Sequence, residues 1–211
     1  MRRRYRDDAM AKIFSVSVKA AVARGMDPLA RALLRARITP NMVTVFGTLG
    51  VIGGALLATQ GWLIAGVFVV TFFALTDVVD GTMARMVGAP TRFGALLDST
   101  MDRVADGAVF AAVAYLLAVR EDHWSLVATL ICLVAGQVVS YIKARAEGLG
   151  LACDVGLIER FERLVILGVG ALFTGFGLSW GLTVALWILA ALSVFTAGQR
   201  LIYVRRQEPA V

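Results

Sequence analysis

The chain has 211 residues, 59% of them hydrophobic, with a mean hydropathy of +0.77 and a net charge of +6. That hydropathy excludes an ordinary soluble domain, and no segment reads as a linker between domains. An isoelectric point near 9.9 would point to nucleic acid in a soluble chain. In an apolar chain, basic residues gathered at one membrane face point instead to anionic headgroups, so no nucleic-acid partner is expected.

In chain order, residues 1–38 form a basic cytoplasmic segment. Within it, residues 9–24 are interrupted by Lys12 and Lys19, too charged to cross a membrane. Met10, Ile13, Phe14, Ser17, Ala20 and Ala21 share one helical face, which predicts an amphipathic helix lying in the interface. Gly25 is expected to end it, with Asp27-Pro28 starting a short second helix and Thr39-Pro40 starting the first span.

Asn41–Thr76 and Leu164–Gln199 each run 36 residues without a charge, too long for one crossing of about 20 residues. Each is broken near its middle, by "TQGW" at 59–62 and "GFGLSWG" at 175–181. Each run is therefore read as parts of two helices joined by a tight turn. Gly107–Val119 and Trp124–Ile142 add two more apolar stretches. The expected fold is an all-α integral membrane protein with an N-terminal interfacial helix. Its six transmembrane helices lie at 41–59, 62–86, 93–119, 124–147, 157–175 and 180–204, in one domain over 39–206 with a tail at 207–211.

Ten of the 21 Lys and Arg residues precede the first span, and the predicted outer side has only Arg120. Both termini are therefore expected in the cytoplasm, at the cell membrane. Trp62, Trp124 and Trp180 fall at the predicted outer interface, as an aromatic belt requires. No cleaved signal peptide is expected, since no short apolar segment with a cleavage site precedes the first span. Cys132 is mid-helix and Cys153 is in a cytoplasmic loop, so no disulfide is expected.

Four carboxylates interrupt this apolar pattern. Asp77 and Asp80 lie near the cytoplasmic end of helix two, Asp98 and Asp102 at matching depth on helix three. Their i,i+3 and i,i+4 spacings put each pair on one helix face, and the short connection at 86–92 makes the two helices antiparallel neighbours. Charge at that depth costs about 2.5–3.5 kcal/mol per residue on the lenient scale. Two divalent cations would balance the four acids. All-oxygen donors favour Mg²⁺, Mn²⁺ or Ca²⁺, and the lack of His or Cys nearby argues against zinc. Gly81, Ala84 and Gly94 leave room for a bulky ligand, and Arg85 adds a phosphate-binding group. Together these suggest a diphosphate substrate. A proton or cation transporter also uses intramembrane acids, but would need polar positions on the outer halves of the helices, which are apolar here.

The series Asp77-x2-Asp80-Gly81-x2-Ala84-Arg85-x8-Gly94-x3-Asp98-x3-Asp102, eight fixed residues over 26 positions, resembles the signature of the CDP-alcohol phosphotransferase family. Members displace CMP from a CDP-linked alcohol with a second alcohol. The resemblance implies that Asp77, Asp80, Asp98 and Asp102 hold two Mg²⁺ ions, with Mn²⁺ an alternative, and that Asp102 is the catalytic general base. It also implies a CDP-lipid site at Pro40, Asn41, Thr44, Gly81, Ala84, Arg85 and Thr91.

For the acceptor, the end of helix four reads "SYIKARAEGLG" and helix five begins "IERFERL". Ser140, Lys143, Arg145, Arg163 and Arg200 would suit an acceptor that carries its own phosphate. Topology alone also places basic residues at these helix ends, Glu159–Arg163 has the spacing of an ordinary ion pair, and Arg160 reads as a surface charge. An inositol ring would need further partners for its hydroxyls, for which Ser140, Tyr141 and Asp154 are the candidates. The arrangement resembles the actinobacterial phosphatidylinositol phosphate synthases, which join CDP-diacylglycerol to inositol phosphate. The phosphatidylglycerol phosphate synthases, with glycerol 3-phosphate as acceptor, are the rival branch. Two features remain outside the signature. Gly50-x3-Gly54 signals a helix contact, within the chain or in a homodimer. Asp106 is expected to pair with Arg103 or to support the metal site from outside.

Overall fold

A computed structural model describes residues 25–88 and 91–207. The interfacial helix expected over 9–24 and residues 208–211 of the tail lie outside the described residues. Among the described residues the chain is all helical. Residues 25–35 form α1, followed by α2 (Pro40–Thr59), α3 (Leu63–Ala74), α4 (Thr76–Met86), α5 (Arg92–Val119), α6 (His123–Gly148), α7 (Arg160–Gly175) and α8 (Gly181–Arg205). Among the described residues, four helical stretches are long and apolar enough to cross a membrane: Pro40–Thr59, Leu63–Met86, His123–Gly148 and Gly181–Arg205. Large side chains such as Phe46, Phe68, Phe72 and Trp124 are more than 60% exposed. A surface of that kind belongs against lipid.

The chain divides into two compact units, one within Met1–Leu49 and Phe72–Asp102 and the other from Gly50–Thr71 and Arg103–Val211. In the first unit, α1 ends in a Schellman motif. Ile38 N–H bonds Leu33 C=O and Arg37 N–H bonds Leu34 C=O, both at 3.0 Å. Arg37 takes the left-handed conformation (φ 61°) that this motif needs, where glycine is usual. The motif tucks Ile38 with Met26, Leu33 and Leu34 against buried Ala30, Val43, Val79 and Met83. The expected helix start at Asp27-Pro28 is corrected: helix already covers 25–27, and Asp27 instead sits 3.7 Å from Arg31, one turn on. Thr39 does cap α2, accepting the Met42 N–H at 3.3 Å.

The second predicted span is one stretch with a single-residue break at Leu75, whose backbone stays near helical values (φ −71°, ψ −16°). Thr76 bonds back to the Phe73 carbonyl at 2.5 Å, a contact that bends helices. Gly47 leaves the space in which the Thr76 side chain sits, and a Cβ there would overlap its hydroxyl. Phe73 stacks edge-on against Phe46 at 5.5 Å.

In the second unit, α2 and α3 meet through glycines. A Cβ on Gly54 would lie 2.8 Å from the Val70 nitrogen, and one on Gly66 would lie 2.8 Å from the Gly54 carbonyl. The Gly50-x3-Gly54 signal is thus used, through Gly54, for packing within the chain. α8 packs on α6 and α7. Gly170 and Gly181 allow the close α7–α8 approach, and Thr174 accepts the Leu182 N–H at 2.8 Å, tying the start of α8 to α7. Cys132 and Cys153 are both free and buried.

Candidate active site

The signature residues lie on α4 and on the first three turns of α5, and Pro40, Asn41 and Thr44 at the start of α2, all within the first unit. Asp80 is 6% exposed, on the face of α4 that carries buried Val79 and Met83. Its Oδ2 accepts the Thr44 hydroxyl at 2.6 Å, and the Gly81 backbone donates to it as well. Neither donor carries charge, while the carboxylates of Asp77 and Asp98 stand close enough to repel it. Asp77 and Asp102 are half-buried and Asp98 is exposed. Thr44 was expected at the nucleotide; in this structure its hydroxyl is given to Asp80, which joins the start of α2 to the acid cluster.

The remaining predicted CDP-lipid residues fall into two groups. Thr91 Oγ1 accepts the Gly94 N–H at 2.9 Å and so caps α5. Gly94 brings this cap against α2, since a Cβ there would lie 3.3 Å from Asn41 Oδ1 and 3.0 Å from Thr91 Oγ1. Pro40, one residue before Asn41, is half-buried at the start of α2. On α4, exposed Arg85 lies beside Gly81, where a Cβ would sit 3.7 Å from its Nη1, and its Nη2 donates to Thr82 at 3.0 Å. Ala84, half-buried, precedes it.

The acid set fits a hard divalent cation in donor chemistry: oxygen ligands, mutual repulsion and neutral hydrogen-bond donors on the buried member. Among the described residues, no group of three or more His, Cys, Asp or Glu side chains closes around one point as a finished metal site.

The predicted acceptor residues lie in the second unit. Ser140 donates to the Gly136 carbonyl at 3.1 Å. Lys143 is half-buried, with Asp154 at 3.7 Å and Glu147 at 3.9 Å, and Arg145 is exposed. Arg200, 4% exposed, donates from Nη1 to Val139 C=O at 2.7 Å and from Nε to Val155 C=O at 2.8 Å. It ties the 149–159 loop to α6. Arg163, also 4% exposed, donates from Nη2 to Asp106 Oδ2 at 2.6 Å. Arg160 Nε reaches the other oxygen, Oδ1, at 3.1 Å.

This buried cluster corrects one expectation: Arg160, read as a surface charge, is a partner of buried Asp106, with its side chain 20% exposed. Glu159 is engaged otherwise: its N–H is held by Glu162 at 3.0 Å in a helix-capping contact. One signal in the sequence pointed there. Asp106 continues the i,i+4 ladder of Asp98 and Asp102 into an apolar stretch, where an acid needs a cation from another helix.

A family model described as CDP-alcohol phosphatidyltransferase matches residues 37–198. The chain is 52% identical over 192 residues to the phosphatidylinositol phosphate synthase of Mycobacteroides abscessus, covering 90% of this chain and 87% of that protein. It is 44% identical over 180 residues to the enzyme of that name from Corynebacterium glutamicum, covering 84% and 82%. The crystal structure of Mycobacterium tuberculosis phosphatidylinositol phosphate synthase with CDP-DAG bound superposes with a TM-score of 0.84 at 47% identity, over 89% of this chain and all of that one. The same mycobacterial protein in complex with manganese and citrate superposes with a TM-score of 0.83, over 88% and 93%. With the whole signature on α4 and α5 and the match reaching from α2 into α8, the chain belongs to the CDP-alcohol phosphatidyltransferase family.

Proposed function

We propose that the protein transfers the phosphatidyl group of CDP-diacylglycerol to inositol phosphate, giving phosphatidylinositol phosphate and CMP. The observation that carries this is the buried carboxylate Asp80, held by neutral donors beside like-charged Asp77 and Asp98, in a chain about half identical to synthases of that name. In the reaction, the acceptor hydroxyl oxygen forms a bond to the lipid-side phosphorus. The bond from that phosphorus to the oxygen of CMP breaks, and CMP leaves with the electron pair. Asp102 takes the hydroxyl proton.

Asp77, Asp80, Asp98 and Asp102 are the ligands for two divalent cations, Mg²⁺ or Mn²⁺. Such ions, when bound, neutralise the diphosphate and the departing CMP. The manganese complex of the mycobacterial relative supports a divalent metal. Asn41, Thr91 and Gly94 form one polar corner for the nucleotide and Gly81 with Arg85 another, with Pro40, Thr44 and Ala84 beside them. Ser140, Lys143, Arg145, Arg163 and Arg200 serve the phosphate of the acceptor.

In the membrane, α5 and α7 complete a set of six spans with the four long apolar helices. Excess Lys and Arg before the first span supports a site facing the cytoplasm at the cell membrane. The deciding experiment is CMP release by the purified protein with CDP-diacylglycerol and Mg²⁺, comparing inositol phosphate, glycerol 3-phosphate, free inositol and serine. Release with inositol phosphate alone supports the assignment. Release with glycerol 3-phosphate alone keeps the chemistry and rejects the acceptor.

A further inference from the structure

The loop at 149–159, between α6 and α7, is fixed by a residue outside the site as assigned. Gln207, just past the end of α8, clamps Ala152 by both of its backbone groups. Nε2 donates to the Ala152 carbonyl at 2.6 Å, and Oε1 accepts the Ala152 N–H at 3.0 Å. Three residues on, Arg200 Nε holds the Val155 carbonyl at 2.8 Å. Between these anchors Cys153 is fully buried against Ile142 and Ala146 of α6. The backbone on both sides of Asp154 is therefore held, while the Asp154 side chain is 75% exposed. A polar group held in place before its ligand arrives gives up little conformational freedom on binding.

Asp154 Oδ1 lies 3.7 Å from the Lys143 ammonium, and Glu147 lies 3.9 Å from the same ammonium. Both separations exceed a hydrogen bond. A hydroxyl suits such a pair, since it donates to the carboxylate and accepts from the ammonium at once. The other candidates for acceptor hydroxyls are less well placed. Ser140 gives its hydrogen to the Gly136 carbonyl at 3.1 Å. Tyr141 lies about 160° around α6 from Lys143 on an ideal helix. Gln207, Ala152, Asp154 and Lys143 all belong to the second unit.

We infer that Gln207 is a positioning residue for the acceptor: by clamping Ala152 it holds the Asp154 carboxylate beside Lys143, where it accepts the hydroxyls of a phosphorylated polyol. The inference rests on the acceptor proposed above, and it concerns the hydroxyls of that acceptor rather than its phosphate. A clamp with a structural role alone affects stability, or both substrates alike. A positioning residue raises KM for the acceptor and leaves the donor unchanged.

The test uses the full chain in detergent, with CMP release measured while inositol phosphate and CDP-diacylglycerol are varied in turn. Gln207→Leu removes both hydrogen bonds at similar size, and KM for inositol phosphate should rise about five- to tenfold. Asp154→Asn should raise it at least as much. KM for CDP-diacylglycerol should stay within about twofold in both variants. The double variant should be no worse than Asp154→Asn alone, because both changes act through one carboxylate. Inorganic phosphate, a competing probe without hydroxyls on carbon, should inhibit both variants at least as strongly as wild type. A folded Gln207→Leu protein with an unchanged acceptor KM overturns the inference. So do both KM values raised equally, additive effects in the double variant, or phosphate inhibition weakened by the factor seen for inositol phosphate. If Gln207→Leu does not fold, Gln207→Glu decides, because it keeps the bond to the Ala152 N–H and loses only the bond to its carbonyl. A selective rise in acceptor KM then supports the inference, and an unchanged one overturns it. Wild-type protein that turns over glycerol 3-phosphate and not inositol phosphate refutes the acceptor assignment. The same ratios are then read on glycerol 3-phosphate, which also carries hydroxyls beside its phosphate and must show the same selective rise.

Discussion

Asp102 and Asp106 are one helical turn apart on α5, yet the acid clusters they join are built on opposite principles. In the signature cluster, Asp80 is buried with neutral donors and with other carboxylates acting on it. In the Asp106 cluster, the acid is matched by two arginines of α7. The first gathers carboxylates around a neutral hydroxyl and suits cations; the second sets one carboxylate against guanidinium groups. Burial alone does not distinguish them, since Asp80 and Asp106 are 6% and 3% exposed. The partners do.

The comparison breaks most sharply at Asp102. Asp102→Asn should lower CMP release about 10²- to 10⁴-fold even at saturating Mn²⁺ and CDP-diacylglycerol, the range for loss of a general base. Melting in detergent should be unchanged, because the asparagine retains the shape. Near-normal turnover would show that the proton goes elsewhere and that Asp102 belongs with the structural acids.

Thr44→Val tests the neutral support of Asp80. The valine fills the same volume, and the acid loses the hydroxyl at 2.6 Å. Partners that orient a metal ligand typically contribute 10- to 100-fold in metal affinity or activity. The Mn²⁺ concentration giving half-maximal CMP release should therefore rise by about that factor. If it stays put while KM for CDP-diacylglycerol rises, Thr44 acts on the nucleotide, as the family resemblance implied, and its bond to Asp80 is incidental.

Arg200→Gln separates holding the fold from binding the acceptor. Nε and Nη1 of Arg200 serve two backbone carbonyls, and each carbonyl left unpaired costs about 1–3 kcal/mol. The variant should melt several degrees lower. A rise in acceptor KM with no loss of melting temperature would instead move Arg200 wholly into the binding pocket.

Much of this was legible in the sequence, and the parts that were not share a cause. The helix bounds predicted at 41–59 and 93–119 match those of Pro40–Thr59 and Arg92–Val119 closely, because local signals set those ends: the Thr39-Pro40 cap and Thr91 before α5. The four signature acids were visible because charge is conspicuous in an apolar chain. What sequence reasoning missed are pairings across the chain. Thr44 and Asp80 are 36 residues apart, and Asp106 is 54 and 57 residues from Arg160 and Arg163. Periodicity places a residue on a helix face; it does not say which helix that face meets. The start of α1 failed for a different reason. Asp27-Pro28 has the chemistry of a helix start, but the helix already runs through 25–27, and Asp27 turns to Arg31.

The smallest expected effect tests the link between fold and site. Thr91 caps α5, and its hydroxyl lies beside Gly94 and Asn41. Thr91→Ala removes the cap and should cost about 1 kcal/mol, a fall in melting temperature of a few degrees. Thr91→Ser keeps the oxygen and should melt close to wild type. If the cap only ends a helix, KM for CDP-diacylglycerol will follow neither substitution. If the corner made by Asn41, Thr91 and Gly94 binds the nucleotide, Thr91→Ala should also raise that KM several-fold and Thr91→Ser should restore it. A lower melting temperature with an unchanged KM would leave Thr91 as a helix cap and move the nucleotide contacts to Gly81 and Arg85 on α4.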